Sequence, residues 1–320
     1  MIKSKIGILG AGAFGTSLAI CLSGNCEISL FSFFDDHVEV MKRTHLNDFL
    51  PGFQIPDYVT IDHAQNVDSR NFDYILWALP VKPSLEILND IKSKIDGGTI
   101  VICSKGLAQN GNFLASEFGA RLSRSEIGCL SGPNFATELA AFRCSASDIA
   151  FDNIESAVNC SSRLANRYLK LVPCDDMIGI QLCGAAKNVV AIACGIVSGL
   201  NLGQNAHSAL LSFAISEIRD LGLKLGAKEK TFTGLCGFGD LVLTASSTDS
   251  RNTTLGRNVA EGANPESIVG SSSAIYEGYE TSRYILALAR QNEVSIPICE
   301  SVYMILHEKK SPESILNVFN

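Results

Sequence analysis

The sequence predicts an α/β fold: a doubly wound parallel sheet in the first half, followed by an all-α second half. Short apolar runs alternate with helix-like segments as far as about residue 175, and long helical patterns replace them from there to residue 320. The pattern Gly10-Ala11-Gly12-Ala13-Phe14-Gly15, directly after the first apolar run, marks the turn from the first strand into the first helix.

The strands are read in KIGILG, CEISLFSF, DYILWAL, GTIVICS, EIGCLSG, SDIAF and LKLVP. They are continuously apolar rather than alternating, because a parallel sheet is covered by helices on both faces. Beyond Asp175 the helical candidates are Met177 to Leu200, Asn205 to Leu225, Tyr276 to Gln291 and a last helix through SVYMILHEK. Between them, TASSTDSRNTTLGRNVAEGANPES is rich in Ser, Thr, Asn and Gly and reads as a surface loop. No internal repeat interrupts this order.

Composition excludes several classes. With 46% hydrophobic and 18% charged residues the chain is globular, and 320 residues suffice for two cores. A net charge of −7 without a long Lys/Arg tract excludes the footprint of a nucleic-acid binder. The eleven cysteines are odd in number and scattered, without zinc-like spacing, so they read as reduced residues of a cytoplasmic protein with no metal site. MIKSKIGILGAGAFG begins basic and then apolar, but its glycines fit a strand-to-helix turn better than a targeting peptide. Met177 to Leu200 approaches membrane-spanning length, yet Gln181, Lys187 and Asn188 interrupt it and no aromatic or basic flanks frame it. It reads as a buried helix, and no integral membrane segment is expected.

In the glycine pattern, Gly10 permits a tight turn, Gly12 close approach to a pyrophosphate, and Gly15 close packing of helix on strand, with phosphates at the helix N-terminus. Dinucleotide binding follows, and the domains are placed at 1–175, dinucleotide-binding and Rossmann-like, and 176–320, helical and substrate-binding. The cofactor is NAD or NADP. LFSFFDD, with Phe33 and Phe34 followed by Asp35 and Asp36, matches neither the acid expected for NAD nor the arginine expected for NADP, and the aspartates equally open the next helix.

Five further places carry candidate chemistry. Lys105 follows a strand at the sheet's carboxyl edge, and Gly132 and Asn134 stand where another strand turns into a helix. Asp240 sits at a glycine-flanked turn before a helix, where a helix cap is the ordinary alternative. Ser250, Arg251 and Asn252 have the donors of a phosphate clamp. Lys187, alone in an apolar helix, must reach water or meet a specific partner.

Taken in order, GILGAGAFGTSLA, SKGL, SGPNFATELA, AAKNVVAIACGI, GFGDLVLT, SRN and YEGYET resemble the bacterial NAD(P)-dependent glycerol-3-phosphate dehydrogenase family, from Ile6 to the last helix. The resemblance implies an active site in the cleft between the two domains. There dihydroxyacetone phosphate and NAD(P)H interconvert with glycerol 3-phosphate, a precursor of phospholipids. It implies Lys187 as acid/base, with Asp240 and Lys105 as its catalytic companions beside the substrate. It implies substrate contacts also from Gly132, Asn134, Ser250, Arg251 and Asn252. Cofactor contacts are implied at Gly10, Gly12, Ala13, Phe14, Gly15, Phe34, Lys105, Ala136, Arg251 and Glu277. The family commonly has an arginine or another polar residue where this chain has SFF, which leaves a phosphate-specific contact to NADP without an obvious residue. A homodimer is expected, with the apolar second half supplying the interface.

The chemistry suits these residues. Reducing a ketone builds negative charge on its oxygen, which needs a proton donor and fixed positive charge. Burial would lower a lysine from about 10.4 toward the useful range, and Asp240 would oppose that shift. The competing functions are another two-domain dehydrogenase acting on a hydroxy or keto acid, such as a ketopantoate reductase, and a noncatalytic dinucleotide sensor.

Overall fold

The computed structural model describes residues 3–109, 111–247, 250–271 and 276–320. They form two compact units, one of Met1–Ser104 with Leu114–Met177, the other of Lys105–Phe113 with Ile178–Asn320.

The first unit begins with β1 (Ser4–Leu9), α1 (Ala13–Leu22), β2 (Cys26–Ser32), α2 (Asp35–Thr44) and β3 (Thr60–His63). It continues through β4 (Tyr74–Trp77), α3 (Val81–Ile95), β5 (Thr99–Ile102), α4 (Leu114–Arg121), β6 (Glu126–Ser131), α5 (Ala136–Ala140), β7 (Ser145–Phe151), α6 (Ile154–Leu164) and β8 (Leu169–Cys174). The sheet order is β3-β2-β1-β4-β5-β6-β7-β8. Ile8 of β1 is in register with Leu30 of β2 and Leu76 of β4, and all three are fully buried, as strands covered on both faces require. The chain runs outward from β1 to β3, then returns to β4 on the other side of β1. The order therefore reverses between β1 and β4, the place where open α/β sheets bind ligands beyond the strands' carboxyl ends.

Two features differ from expectation. β3 is not legible as an apolar run, because only Ile61 of its four residues is buried. The sheet is also not wholly parallel: β7 pairs antiparallel with β6, Cys129 opposite Ala150, and β8 then pairs parallel with β7. The link from β6 to β7 carries only the five-residue α5.

The second unit contains α7 (Met177–Gly199), α8 (Gly203–Lys224), α9 (Glu229–Phe232), α10 (Asp240–Ser246), α11 (Arg251–Ala260), α12 (Pro265–Ser271), α13 (Glu277–Gln291) and α14 (Pro297–His307). By length and composition α7 could cross a membrane, but 89% of its apolar window is buried inside the protein. It packs backbone to backbone on α11. A Cβ on Gly256 would stand 2.0 Å from the Ile192 carbonyl oxygen, and one on Gly195 would stand 2.1 Å from that of Thr253. Only glycine admits this approach.

The stretch 244–267, expected as a surface loop, is largely helical, apart from Thr248 and Asp249, which lie outside the described residues. Its polar residues are helix caps. Ser250 Oγ accepts from the Thr253 amide at 3.3 Å to start α11, and Asn264 Oδ1 accepts from the Glu266 amide at 2.9 Å to start α12. The buried face of α11 is only Thr253, Leu255, Gly256 and Val259, too sparse to register against so polar a composition.

Candidate functional site

In the first unit the glycine turn joins β1 to α1. Gly10 has φ +111°, a conformation side chains rarely adopt, and a Cβ there would lie 2.8 Å from the Ala78 carbonyl oxygen. A Cβ on Gly15 would lie 1.9 Å from the Gly10 carbonyl oxygen, so this glycine lets α1 start tightly against the strand end. At Gly12, by contrast, a Cβ would meet nothing within 4 Å. Gly12 caps α1 without a side-chain acceptor, and the first-turn amides of Ala13, Phe14 and Gly15 have no intrahelical partner. This is the arrangement that receives a pyrophosphate, so the residues present fit a dinucleotide.

At the end of β2, Phe34 is exposed and precedes α2, while Asp35 and Asp36 form the first turn of that helix, where acidic residues suit its dipole. Gly132, Asn134 and Ala136 belong to the same unit. A Cβ on Gly132 would come 2.7 Å from Ser147 Cα, so close packing on β7 explains this glycine. Asn134 is tied to the same strand: its Nδ2 donates to the Ala146 carbonyl at 3.2 Å, and its Oδ1 accepts from the Ser147 hydroxyl. Ala136 opens α5, a helix of little more than one turn.

In the second unit Lys105, Lys187 and Asp240 come together. A π-helical turn, Leu235–Gly239, leads into α10 and makes Asp240 its first residue rather than its cap, leaving the carboxylate for other partners. Asp240 is 1% exposed, with Lys105 Nζ 2.6 Å from Oδ2 and Lys187 Nζ 2.8 Å from Oδ1. Burial alone would raise the Asp240 carboxyl, but the two ammonium groups outweigh it and hold it below its ordinary value. For Lys187 burial dominates and pushes the ammonium down to about 8, with Lys105 adding to the effect and Asp240 opposing it. The largely buried lysine of the apolar helix thus meets a specific partner.

Two residues not singled out in the sequence complete the cluster. Thr244, one turn after Asp240, accepts from Lys187 Nζ at 2.9 Å. Asn188 Nδ2 donates to the Lys105 carbonyl at 3.3 Å, and its Oδ1 accepts from Asn252 Nδ2 at 3.2 Å. Asn252 Oδ1 in turn accepts from the Gly278 amide at 3.3 Å, beside Glu277 at the start of α13. Asn188 stands out in the sequence only as a polar residue in an apolar run, and Thr244 not at all; the helix packing reveals their partners. Arg251 is exposed in the first turn of α11, next to the capping Ser250, and pairs with no carboxylate among the described residues.

A nucleotide-type glycine turn on an α/β sheet, followed by an all-α unit with a buried lysine–carboxylate pair, defines the class of two-domain nicotinamide-dependent oxidoreductases. Residues 5–157 match the family description "NAD-dependent glycerol-3-phosphate dehydrogenase N-terminus", and residues 176–317 match its "C-terminus" counterpart. The chain belongs to the NAD-dependent glycerol-3-phosphate dehydrogenase family. It is 33% identical over 324 residues to a glycerol-3-phosphate dehydrogenase [NAD(P)+] of Idiomarina loihiensis, covering 98% of this chain and 96% of that one. A Novosphingobium aromaticivorans enzyme with the same description is 37% identical over 306 residues, covering 94% and 92%. A crystal structure of glycerol-3-phosphate dehydrogenase from Coxiella burnetii superposes with a TM-score of 0.92 at 33% identity, covering 99% of both chains.

Proposed function

We propose that this chain is a glycerol-3-phosphate dehydrogenase, moving a hydride reversibly between NAD(P)H and dihydroxyacetone phosphate to give sn-glycerol 3-phosphate. The observation that carries the reading is the Lys105–Asp240–Lys187 cluster, two largely buried lysines on one fully buried carboxylate, in a chain of this family. When bound at the glycine turn, the nicotinamide cofactor supplies the hydride or accepts it. Lys187 holds the proton that the ketone oxygen takes up on reduction and reclaims it on oxidation. Asp240 fixes the Lys187 ammonium and keeps it charged in a buried place, while Lys105 adds a second positive charge for the developing alkoxide.

The phosphate falls to Arg251, Ser250 and Asn252 at the start of α11. Guanidinium donors match phosphate oxygens in pairs, and the helix N-terminus favours an anion. The Ser250 hydroxyl accepts from its own helix and retains its proton to donate, and the Asn252 amide retains one N–H beyond the bond to Asn188. Gly132, Asn134, Ala136, Phe34 and Glu277 complete the proposed contacts to substrate and cofactor. We place residues 1–175 as the dinucleotide domain and 176–320 as the substrate domain.

The product suits glycerophospholipid synthesis. Eleven free cysteines, all buried except Cys144 and Cys174, support a reducing, cytoplasmic setting. Exposed Phe213, Leu223 and Leu316 support a homodimer through the helical unit.

The test is the initial rate of NADH and of NADPH oxidation with dihydroxyacetone phosphate, beside unphosphorylated dihydroxyacetone. Oxidation with the phosphorylated ketone alone is expected; oxidation only with 2-keto acids would replace this reading. Arg251→Ala should raise KM for dihydroxyacetone phosphate by about 10-fold or more, the scale of a lost charge-assisted hydrogen bond. An unchanged KM removes Arg251 from the phosphate site.

A further inference from the structure

We propose that Asn47, held by His37, is a positioning residue for the dinucleotide: it aims the Gly12 amide outward and ties the glycine turn to the end of β2. The inference rests on the dinucleotide-binding reading above. Asn47 follows α2 and is 3% exposed, yet its carboxamide is fully engaged. Its Nδ2 donates to the Ala11 carbonyl at 2.9 Å and to Thr16 Oγ1 at 2.7 Å. Its Oδ1 accepts from the Phe49 amide at 2.9 Å and meets His37 Nε2 at 3.1 Å.

The directions of these bonds follow from chemistry. The Ala11 carbonyl can only accept, so the Asn47 amide nitrogen must face it, and His37 Nε2 must carry the proton given to Oδ1. In the neutral ring Nδ1 is then an acceptor and takes the hydroxyl proton of Ser32, 3.0 Å away. Ser32 Oγ in turn accepts from the Phe34 amide at 3.4 Å. The chain of bonds joins the glycine turn to the strand end whose residues face the adenosine ribose in folds of this kind.

The consequence for binding lies in one peptide. The Ala11 carbonyl and the Gly12 amide share a planar trans unit, so they point in opposite directions. Holding the carbonyl inward on Asn47 turns the Gly12 N–H outward, on a residue whose Cβ direction meets nothing within 4 Å. Without Asn47 this peptide loses the bond that sets its direction.

The experiment titrates the full-length protein with NADH, without ketone, following nucleotide fluorescence, and records melting temperatures for every variant. Asn47→Ala and His37→Phe should raise the NADH Kd, by about 10-fold for Asn47→Ala. His37→Gln, whose amide can donate to Asn47 in place of Nε2, should restore most of the affinity. KM for dihydroxyacetone phosphate at saturating NADH should stay within about 2-fold of wild type. Lower melting temperatures with wild-type Kd values would make the network merely structural and overturn the proposal. If Asn47→Ala does not fold, His37→Phe against His37→Gln decides on the same criterion. No NADH binding by the wild type would instead remove the dinucleotide reading, and the proposal with it.

Discussion

A lysine inside an apolar helix is costly unless a partner holds its charge, and Lys187 has that partner in Asp240. With its ammonium lowered to about 8 by burial, Lys187 changes protonation within the range of ordinary assays. With Lys187 as the proposed proton donor, ketone reduction needs the charged form, so its kcat should fall as pH rises through about 8, and alcohol oxidation, which needs the neutral amine, should rise through the same value. Asp240 raises the Lys187 pKa, so Asp240→Asn should move both limbs to lower pH; unmoved limbs would show that another group titrates. Lys187→Ala should reduce turnover by about 100-fold or more while leaving NADH affinity within about 2-fold, since its contacts are to Asp240 and Thr244 rather than to the glycine turn. Normal turnover in that variant would sink the assignment. At this scale the sequence is informative wherever a residue breaks its local rule. Lys187 and Asn188 in an apolar stretch and Gly10, Gly12 and Gly15 at a strand end announce themselves, whereas Thr244 and Asn47 break no rule and acquire their roles only through what packs against them.

The crossing of α7 and α11 places Asn188 beside Asn252, and glycines set its distance. Gly256→Ala would put a Cβ 2.0 Å from the Ile192 carbonyl oxygen, and backbone cannot yield as a flexible side chain can. The cost should match or exceed the roughly 1–3 kcal/mol of core overpacking, lowering the melting temperature by several degrees and activity by more than the loss of folded protein explains. Gly119→Ala is the control: exposed within α4, with nothing within 4 Å of the added Cβ, it should gain about 0.5–1 kcal/mol of helix stability. Equal melting temperatures for wild type and Gly256→Ala would show that the helices separate without penalty. Elements with a continuous apolar stretch, such as β1, β2 and α7, are legible in the sequence. β3 and α11 are not, because one buries a single isoleucine and the other hides a narrow apolar face among capping residues.

Strand order and long-range contacts lie furthest from sequence patterns. A parallel rhythm does not reveal that β7 pairs antiparallel with β6, since a strand running in either direction buries the same apolar residues. Nothing in SEIRDLG distinguishes Glu217 from its neighbours either, yet this side chain of α8 is buried and caps α14, 81 residues later. It accepts from the amides of Ile298 at 2.9 Å and Cys299 at 3.1 Å. Burial raises its carboxyl to about 7, prevailing over the opposing hydrogen bonds from Cys299 and Ile298. The folded chain therefore binds this proton more tightly than the unfolded chain, whose glutamates titrate near 4.3. The stability gained from that proton is complete below the unfolded value and is lost as pH rises through about 7. Glu217→Gln cannot titrate and leaves one of the two amides poorly served, so it should be less stable than wild type at pH 5. The difference should narrow or reverse by pH 8 as wild type loses its proton. Melting temperatures of both proteins across that range measure the effect. A constant difference would show that Glu217 does not change protonation in the folded protein between pH 5 and 8 and would overturn the assignment.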